Sequence, residues 1–206
     1  MTSLSEALEL RGMKTFPVFP SPTKFDLCRA VYKLSEVATS QSTTLISFSG
    51  HGTSDGLVLY GTSVRSSTIE ASEFYALLDL IPGKKIVLLD ACETVLAGFL
   101  SHVPLNCFVI VGSDPHFLTV EERRPHIFPF SSDPWDTPFF PASLEFGGTL
   151  TSAILSNLAL LCNCGEITAG NLAASLSRNS ALSSLNIGVL CAGDPSILIP
   201  PKISLI

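Results

Sequence analysis

The sequence predicts a single α/β domain with a mostly parallel central sheet and helices on both of its faces. Three observations indicate this fold class. Strand-like apolar runs alternate along the chain with segments whose apolar residues recur at helical spacing. Two of those runs, Ile86–Leu89 and Phe108–Val111, are apolar at every position, as in strands buried on both faces of a parallel sheet. The length of 206 residues suits one sizeable core and is short for two domains.

Each element has its own local signal. Helices are predicted where apolar residues recur every three or four positions, and a serine is expected to cap the first and the third of them: Ser5–Arg11, Lys24–Ala38, Ser72–Leu80, Gly148–Cys162 and Ala169–Arg178. Strands are predicted over short apolar or β-branched runs bounded by turn residues: Thr15–Phe19, Thr43–Phe48, Lys85–Leu89, Phe108–Val111 and Ile187–Cys191, with Leu57–Tyr60 as one arm of a small hairpin.

Charge and hydrophobicity exclude several classes of protein. The net charge is −6 and the twelve basic residues are scattered, so no nucleic-acid partner is expected. No stretch approaches the roughly 18–20 uninterrupted apolar residues of a membrane span. The first residues have neither the basic nor the apolar region of a secretory signal, which predicts a cytoplasmic protein without a membrane partner. The tight spacing of Cys162 and Cys164 does not suit a zinc knuckle, and in a reducing compartment we expect no disulfides.

The segment Thr119–Phe146 differs from the rest of the chain. It contains five prolines and shows no clean periodicity, as is usual for a long functional loop. A dibasic pair, Arg123 and Arg124, lies within it and is expected to be exposed.

A histidine and a cysteine follow two of the predicted strands. Ser49-Gly50-His51-Gly52 comes after the first, and Asp90-Ala91-Cys92 ends with its cysteine 41 residues beyond the histidine. Because ligands of such sheets bind outside the carboxyl ends of the strands, the two side chains are expected to face one another there. An imidazole can help to ionise a thiol, and a thiolate is a strong nucleophile. The pair predicts a cysteine peptidase.

In these two motifs the chain resembles the caspase-like cysteine peptidases, particularly metacaspases and their prokaryotic relatives. The order of elements before His51 and the helix start at 147–155 are similar too, so the resemblance covers roughly residues 5–195. It implies a caspase-like three-layer sandwich formed by one domain over 1–206. A large-subunit-like part would span about 1–118, and the loop 119–146 would separate it from a small-subunit-like part over about 147–206.

The resemblance also assigns roles to single residues. Cys92 would be the nucleophile and His51 the general acid–base, with the backbone N–H groups of Gly52 and Cys92 as the oxyanion hole. Asp90 and Ser49 would line the S1 pocket, where an acid attracts a substrate arginine or lysine. Glu6 is a candidate for a second S1 acid. Self-cleavage is predicted after Arg123 or Arg124.

Structural interpretations of the same residues remain open. Cys92 could be an inert core cysteine at a strand end, and His51 or Ser49 could be a turn residue. Asp90 could cap a helix in the segment after Cys92. The caspase signature Gln-Ala-Cys-x-Gly is not met, because Asp90 replaces the glutamine and Thr94 replaces the glycine.

A second departure concerns the sheet edge. The family normally opens with a hydrophobic strand, and only Met1–Leu4 precede the first predicted helix. Either the sheet tolerates the gap, a partner chain fills it, or the sequence is a fragment. If the edge is unpaired, association with a second copy or another protein is expected besides the peptide substrate. It also motivates an alternative function, a catalytically silent subunit that regulates or scaffolds a partner. Many metacaspases are activated by calcium, but the loop carboxylates have no recognisable ligand spacing, so we expect no cofactor and no metal.

Overall fold

The computed structural model describes residues 4–16, 19, 21–53, 56–61, 67–91, 96–113, 149–161, 166–184 and 188–199. They form an α/β fold around a mostly parallel four-stranded central sheet, which confirms the general fold class. The helices are α1 (Leu4–Glu9), α2 (Lys24–Val37), α3 (Ala71–Leu78), α4 (Leu96–Ser101), α5 (Thr149–Leu161), α6 (Ala169–Ser177) and α7 (Ser180–Ser184). The strands are β1 (Thr43–Gly50), β2 (Gly52–Thr53), β3 (Gly56–Val58), β4 (Thr68–Ile69), β5 (Lys84–Ala91), β6 (Cys107–Ser113), β7 (Ile167–Thr168), β8 (Gly188–Gly193) and β9 (Leu198–Ile199).

The central sheet has the strand order β1-β5-β6-β8. The first three strands are parallel, and β8 runs antiparallel to β6. Between β1 and β5 each residue pairs with the one 41 positions later, from Thr43 with Lys84 to Gly50 with Ala91. The carboxyl ends of β1 and β5 therefore lie side by side at the same end of the sheet.

Two apolar cores cover the two faces of this sheet. Alternate side chains of β5 and β6, among them Val87, Leu89 and Val111, pack with α2, α3 and α4. The intervening side chains, among them Ile86 and Leu88, pack with α5, α6 and α7 on the other face. Because both faces are covered, β5 is buried from Lys85 to Leu89. Burial on both sides explains its uninterrupted apolar run.

Local capping sets the start of α2. The Thr23 hydroxyl accepts a hydrogen bond from the backbone N–H of Asp26, and the Asp26 carboxylate accepts one from the backbone N–H of Thr23. The Thr23 hydroxyl also donates to that carboxylate, and these hydrogen bonds lower the pKa of Asp26 from its usual value. This reciprocal capping box satisfies two backbone donors that the first turn cannot.

A small antiparallel sheet with the order β2-β3-β4 follows β1. Its middle strand contains Leu57, where one arm of a hairpin was predicted. Gly56 enters β3 with φ +152°, and a Cβ at this position would lie 2.0 Å from the carbonyl oxygen of Ile69. Only glycine fits here.

Two predictions of local structure are wrong. No strand forms over the described residues of Thr15–Phe19, where Pro17 removes a ladder donor and Pro20 follows. The predicted serine cap of α3 is also absent, since the N-cap is Glu70 and its side chain makes no capping hydrogen bond.

A membrane span needs a long apolar helix. Among the described residues, no helix has both the length and the apolar character to cross a bilayer.

Candidate functional site

The candidate site lies at the carboxyl ends of β1 and β5. Ser49 and Asp90 are direct register partners near these ends, and His51 follows the last pair of β1. Ser49 is exposed, whereas His51 and Asp90 are half-buried. The structure therefore brings Ser49, from the first motif, next to Asp90, from the second motif, in the sheet.

The hairpin that follows β1 holds the backbone of His51. The backbone N–H of Val58 donates to the carbonyl oxygen of His51 at 2.9 Å, and Gly52 pairs with Leu57. In an antiparallel ladder N–H and C=O groups alternate in direction, so the N–H of Gly52 is directed away from β3. This orientation is the one that a donor to a bound ligand would need.

Cys92 lies outside the described residues, so its role as nucleophile and as an oxyanion-hole donor stays a prediction. It follows Ala91, the last residue of β5, whose side chain is fully buried. The separation of Cys92 from His51, 41 residues, equals the register offset between β1 and β5. Arg123 and Arg124, the predicted self-cleavage positions, also lie outside the described residues.

Asp90 contacts the first turn of α5. Its Oδ2 accepts a hydrogen bond from the backbone N–H of Thr151 at 3.1 Å and another from the Thr151 hydroxyl at 3.3 Å. Asp90 therefore caps α5 through Thr151, which lies 61 residues later in the chain. The segment directly after Cys92, which Asp90 was also a candidate to cap, lies outside the described residues. A carboxylate at a helix N-terminus satisfies an otherwise unpaired N–H and is favoured by the helix dipole.

Gly112 allows α5 to approach this end of the sheet. It is the register partner of Asp90 in β6, and a Cβ there would lie 2.8 Å from the Cβ of Leu150. Leu150 is buried and belongs to the core on that face. The packing of Leu150 against Gly112 brings the neighbouring Thr151 to Asp90.

Thr151 and Gly112 were not identified from the sequence. The residues at 147–155 predict the start of a helix, but nothing local in them indicates a partner 61 residues before Thr151. A hydroxyl in the first turn of a helix only weakly indicates a distant partner, because such residues usually cap their own helix.

Glu6 lies in the first turn of α1 and is exposed. Its helix packs against α5, and the Arg11 guanidinium donates to the Leu158 carbonyl oxygen at 2.9 Å. These contacts attach α1 to the helix whose first turn binds Asp90. A role for Glu6 in the S1 pocket stays a prediction.

The described part of the chain contains other cysteines and a second histidine. Cys28 and Cys191 are exposed, whereas Cys107 is buried in β6, where burial raises the pKa of its thiol to about 11. A thiol with such a pKa stays protonated at neutral pH and is a poor nucleophile. His102 is exposed, and its Nδ1 lies 2.8 Å from the Ser101 hydroxyl.

Metal binding needs several donor side chains close together. Within the described ranges, no three His, Cys, Asp or Glu side chains are placed so that they could hold a metal ion.

No family model and no curated protein matches the sequence.

Proposed function

We propose that the protein is a caspase-like cysteine endopeptidase that hydrolyses peptide bonds after arginine or lysine. The observation that carries the proposal is the register of β1 and β5. It aligns the ends of the two strands after which His51 and Cys92 follow in the chain. A catalytic pair on adjacent parallel strands would lie at the edge of the sheet where α/β folds bind ligands.

In the proposed reaction the Cys92 thiol transfers its proton to His51, and the sulfur attacks the scissile carbonyl carbon. The C–N bond breaks as His51 returns this proton to the leaving amine. Water then gives a proton to His51 and attacks the thioester carbonyl carbon. The C–S bond breaks, the acid product leaves, and the Cys92 thiolate takes the proton back from His51. The N–H of Gly52, directed away from β3, is a candidate donor to the oxyanion, together with the N–H of Cys92.

The pairing of Ser49 with Asp90 supports the proposed substrate preference. Asp90, two residues before the proposed nucleophile in the sequence, is half-buried and is the register partner of the exposed Ser49. A partly desolvated carboxylate attracts a guanidinium or ammonium group more strongly than one in bulk water. We therefore propose an S1 pocket for basic side chains.

A catalytically silent subunit is the second candidate function. The edge position of β1 in the described sheet favours it, because Leu45, Ile46 and Phe48 are only partly buried there. A partner polypeptide that paired with β1 would cover these side chains.

A fluorogenic panel with Arg, Lys or Asp at P1, run with and without calcium, tests the proposal. We expect hydrolysis after Arg and Lys only. Cys92→Ala and His51→Ala should each reduce kcat/KM by at least about a thousandfold. Cys191→Ala, which removes an exposed thiol, is the matched control and should retain activity.

Two results would overturn the peptidase. One is a folded wild-type protein that cleaves neither basic substrate in either buffer. The other is a Cys92→Ala variant that remains as active as Cys191→Ala. A stable complex with a partner, without thiol labelling by a peptidyl-arginine chloromethyl ketone, would support the silent subunit instead.

A further inference from the structure

Thr151 makes two hydrogen bonds to one oxygen of the proposed S1 acid. Its backbone N–H and its hydroxyl both donate to Oδ2 of Asp90, at 3.1 and 3.3 Å. The Thr151 residue is 8 % exposed, so the contact is largely protected from water. Hydrogen bonds to charged groups in such an environment are stronger than those between neutral groups.

The packing of α5 keeps Thr151 in this place. Leu150 is 1 % exposed and lies against Gly112, the register partner of Asp90. Thr151 itself belongs to the first turn of a 13-residue helix. Both donors are therefore held by rigid elements, and the carboxylate has to orient itself to them.

We infer that Thr151 is a positioning residue that sets the plane of the Asp90 carboxylate and so favours arginine over lysine at P1. This inference rests on the proposed function, because it assumes that Asp90 receives the P1 side chain. The terminal torsion of an aspartate is soft, so a carboxylate held by fewer donors samples a wider range of planes.

Arginine and lysine differ in their dependence on that plane. A guanidinium donates through a planar fork that has to match the plane of the carboxylate. An ammonium group is a compact charge with rotatable donors, and it tolerates a rotated carboxylate. Loss of the Thr151 hydroxyl should therefore weaken the recognition of arginine more than that of lysine.

Three variants test the inference through kcat and KM on Arg and Lys peptides. Thr151→Val keeps the backbone donor and removes the hydroxyl. We expect kcat/KM for the Arg peptide to fall about tenfold, mainly through KM. A loss of this size corresponds to one hydrogen bond fewer between the substrate guanidinium and the Asp90 carboxylate. The Lys peptide should change by less than about threefold, and Thr151→Ser should restore the wild-type Arg:Lys ratio.

The matched control is Ser156→Val on the exposed side of the same helix. The Ser156 hydroxyl donates to the Ser152 carbonyl oxygen within α5. Its removal should leave the Arg:Lys ratio unchanged. A Thr151→Val protein that loses thermal stability but keeps the wild-type ratio would show that Thr151 only caps and docks α5, and the inference would be wrong while the peptidase stands.

A binding measurement tests this inference even if the protein catalyses no hydrolysis. Peptide amides ending in Arg or Lys are titrated calorimetrically into Cys92→Ala and into the double variant with Thr151→Val. An Arg preference that falls with Thr151→Val supports the positioning role even if the wild type hydrolyses nothing. Equal affinities for both peptides in the Cys92→Ala protein would overturn it.

Discussion

The chemistry of a cysteine in this protein depends on where its strand places it. Cys107 begins β6 and is fully buried, and burial raises the pKa of its thiol to about 11. The neighbouring Lys85 ammonium lowers this pKa and the Asp79 carboxylate raises it, but burial is the largest influence. Burial also raises the pKa of Tyr75, whose hydroxyl donates to the Phe99 carbonyl oxygen.

These pKa values predict how stability responds to alkaline pH. An unfolded thiol ionises near pH 9, while the folded Cys107 retains its proton until about pH 11. The unfolded state therefore loses its proton first, and the free energy of unfolding should fall from about pH 9 to about pH 11. Urea titrations at several pH values measure this fall.

Cys107→Ala is the comparison for that experiment, because it removes the titrating thiol from the same site. Its free energy of unfolding should decline less steeply over this pH range than that of the wild type, with Tyr75 contributing to both. Parallel pH profiles for the two proteins would contradict the assignment. Iodoacetamide at neutral pH should also spare Cys107 while it modifies the exposed Cys28 and Cys191.

At the scale of elements, the docking of α5 onto the sheet depends on one missing side chain. Gly112→Ala would place a Cβ 2.8 Å from the Cβ of Leu150, closer than such atoms approach. Either α5 or β6 would have to shift. We expect a loss of about 1–3 kcal/mol in the free energy of unfolding, as is typical of overpacked cores.

Gly98→Ala is the matched control for this loss. A Cβ at Gly98 would meet the Cβ of Ala71 at 3.6 Å, an ordinary contact. Gly98 lies in α4, where alanine is a better helix former than glycine, so this variant should be neutral or slightly stabilising. Chemical denaturation measures the free energy of unfolding of both variants. Equal losses in the two variants would refute the close approach at Gly112.

The whole molecule joins its two predicted parts in one sheet. Strand β8, from the predicted small-subunit-like part, pairs with β6 from the large-subunit-like part. At the opposite edge, β1 spans eight residues that include no charge and no proline. Native edge strands usually carry such residues because they prevent pairing with other chains.

No strand among the described residues pairs with the outer side of β1, and this predicts self-association. Light scattering over a concentration series should show dimers or larger species of the wild type. Ser47→Lys, at an exposed position of β1, should shift the protein towards monomer, because a charge at a strand edge opposes pairing. Leu190→Lys, exposed on β8, is the control at the other edge and should leave association unchanged. A monomeric wild type, or dissociation caused only by Leu190→Lys, would contradict a β1 interface.

Much of the fold could be predicted from local patterns. The apolar runs of β5 and β6 predicted strands buried on both faces, and helical spacing located α2, α5 and α6 within one or two residues. The same runs predicted the ends of β1 and β5 two residues too early, so Ser49 and Asp90 lie within their strands rather than after them. His51 follows β1, as expected. The strand predicted over Thr15–Phe19 is wrong for its described residues, since Pro17 cannot donate a ladder hydrogen bond.

The sequence by itself located the strands of the central sheet and the polar residues near the ends of β1 and β5, because period and turn chemistry are local properties. Only the tertiary structure decided that Asp90 binds Thr151 and that Leu150 packs on Gly112. Each of these pairs joins residues tens of positions apart, and no local pattern encodes such a partner. Which donors surround the candidate S1 acid depends on how α5 docks against the sheet, and that is a property of packing.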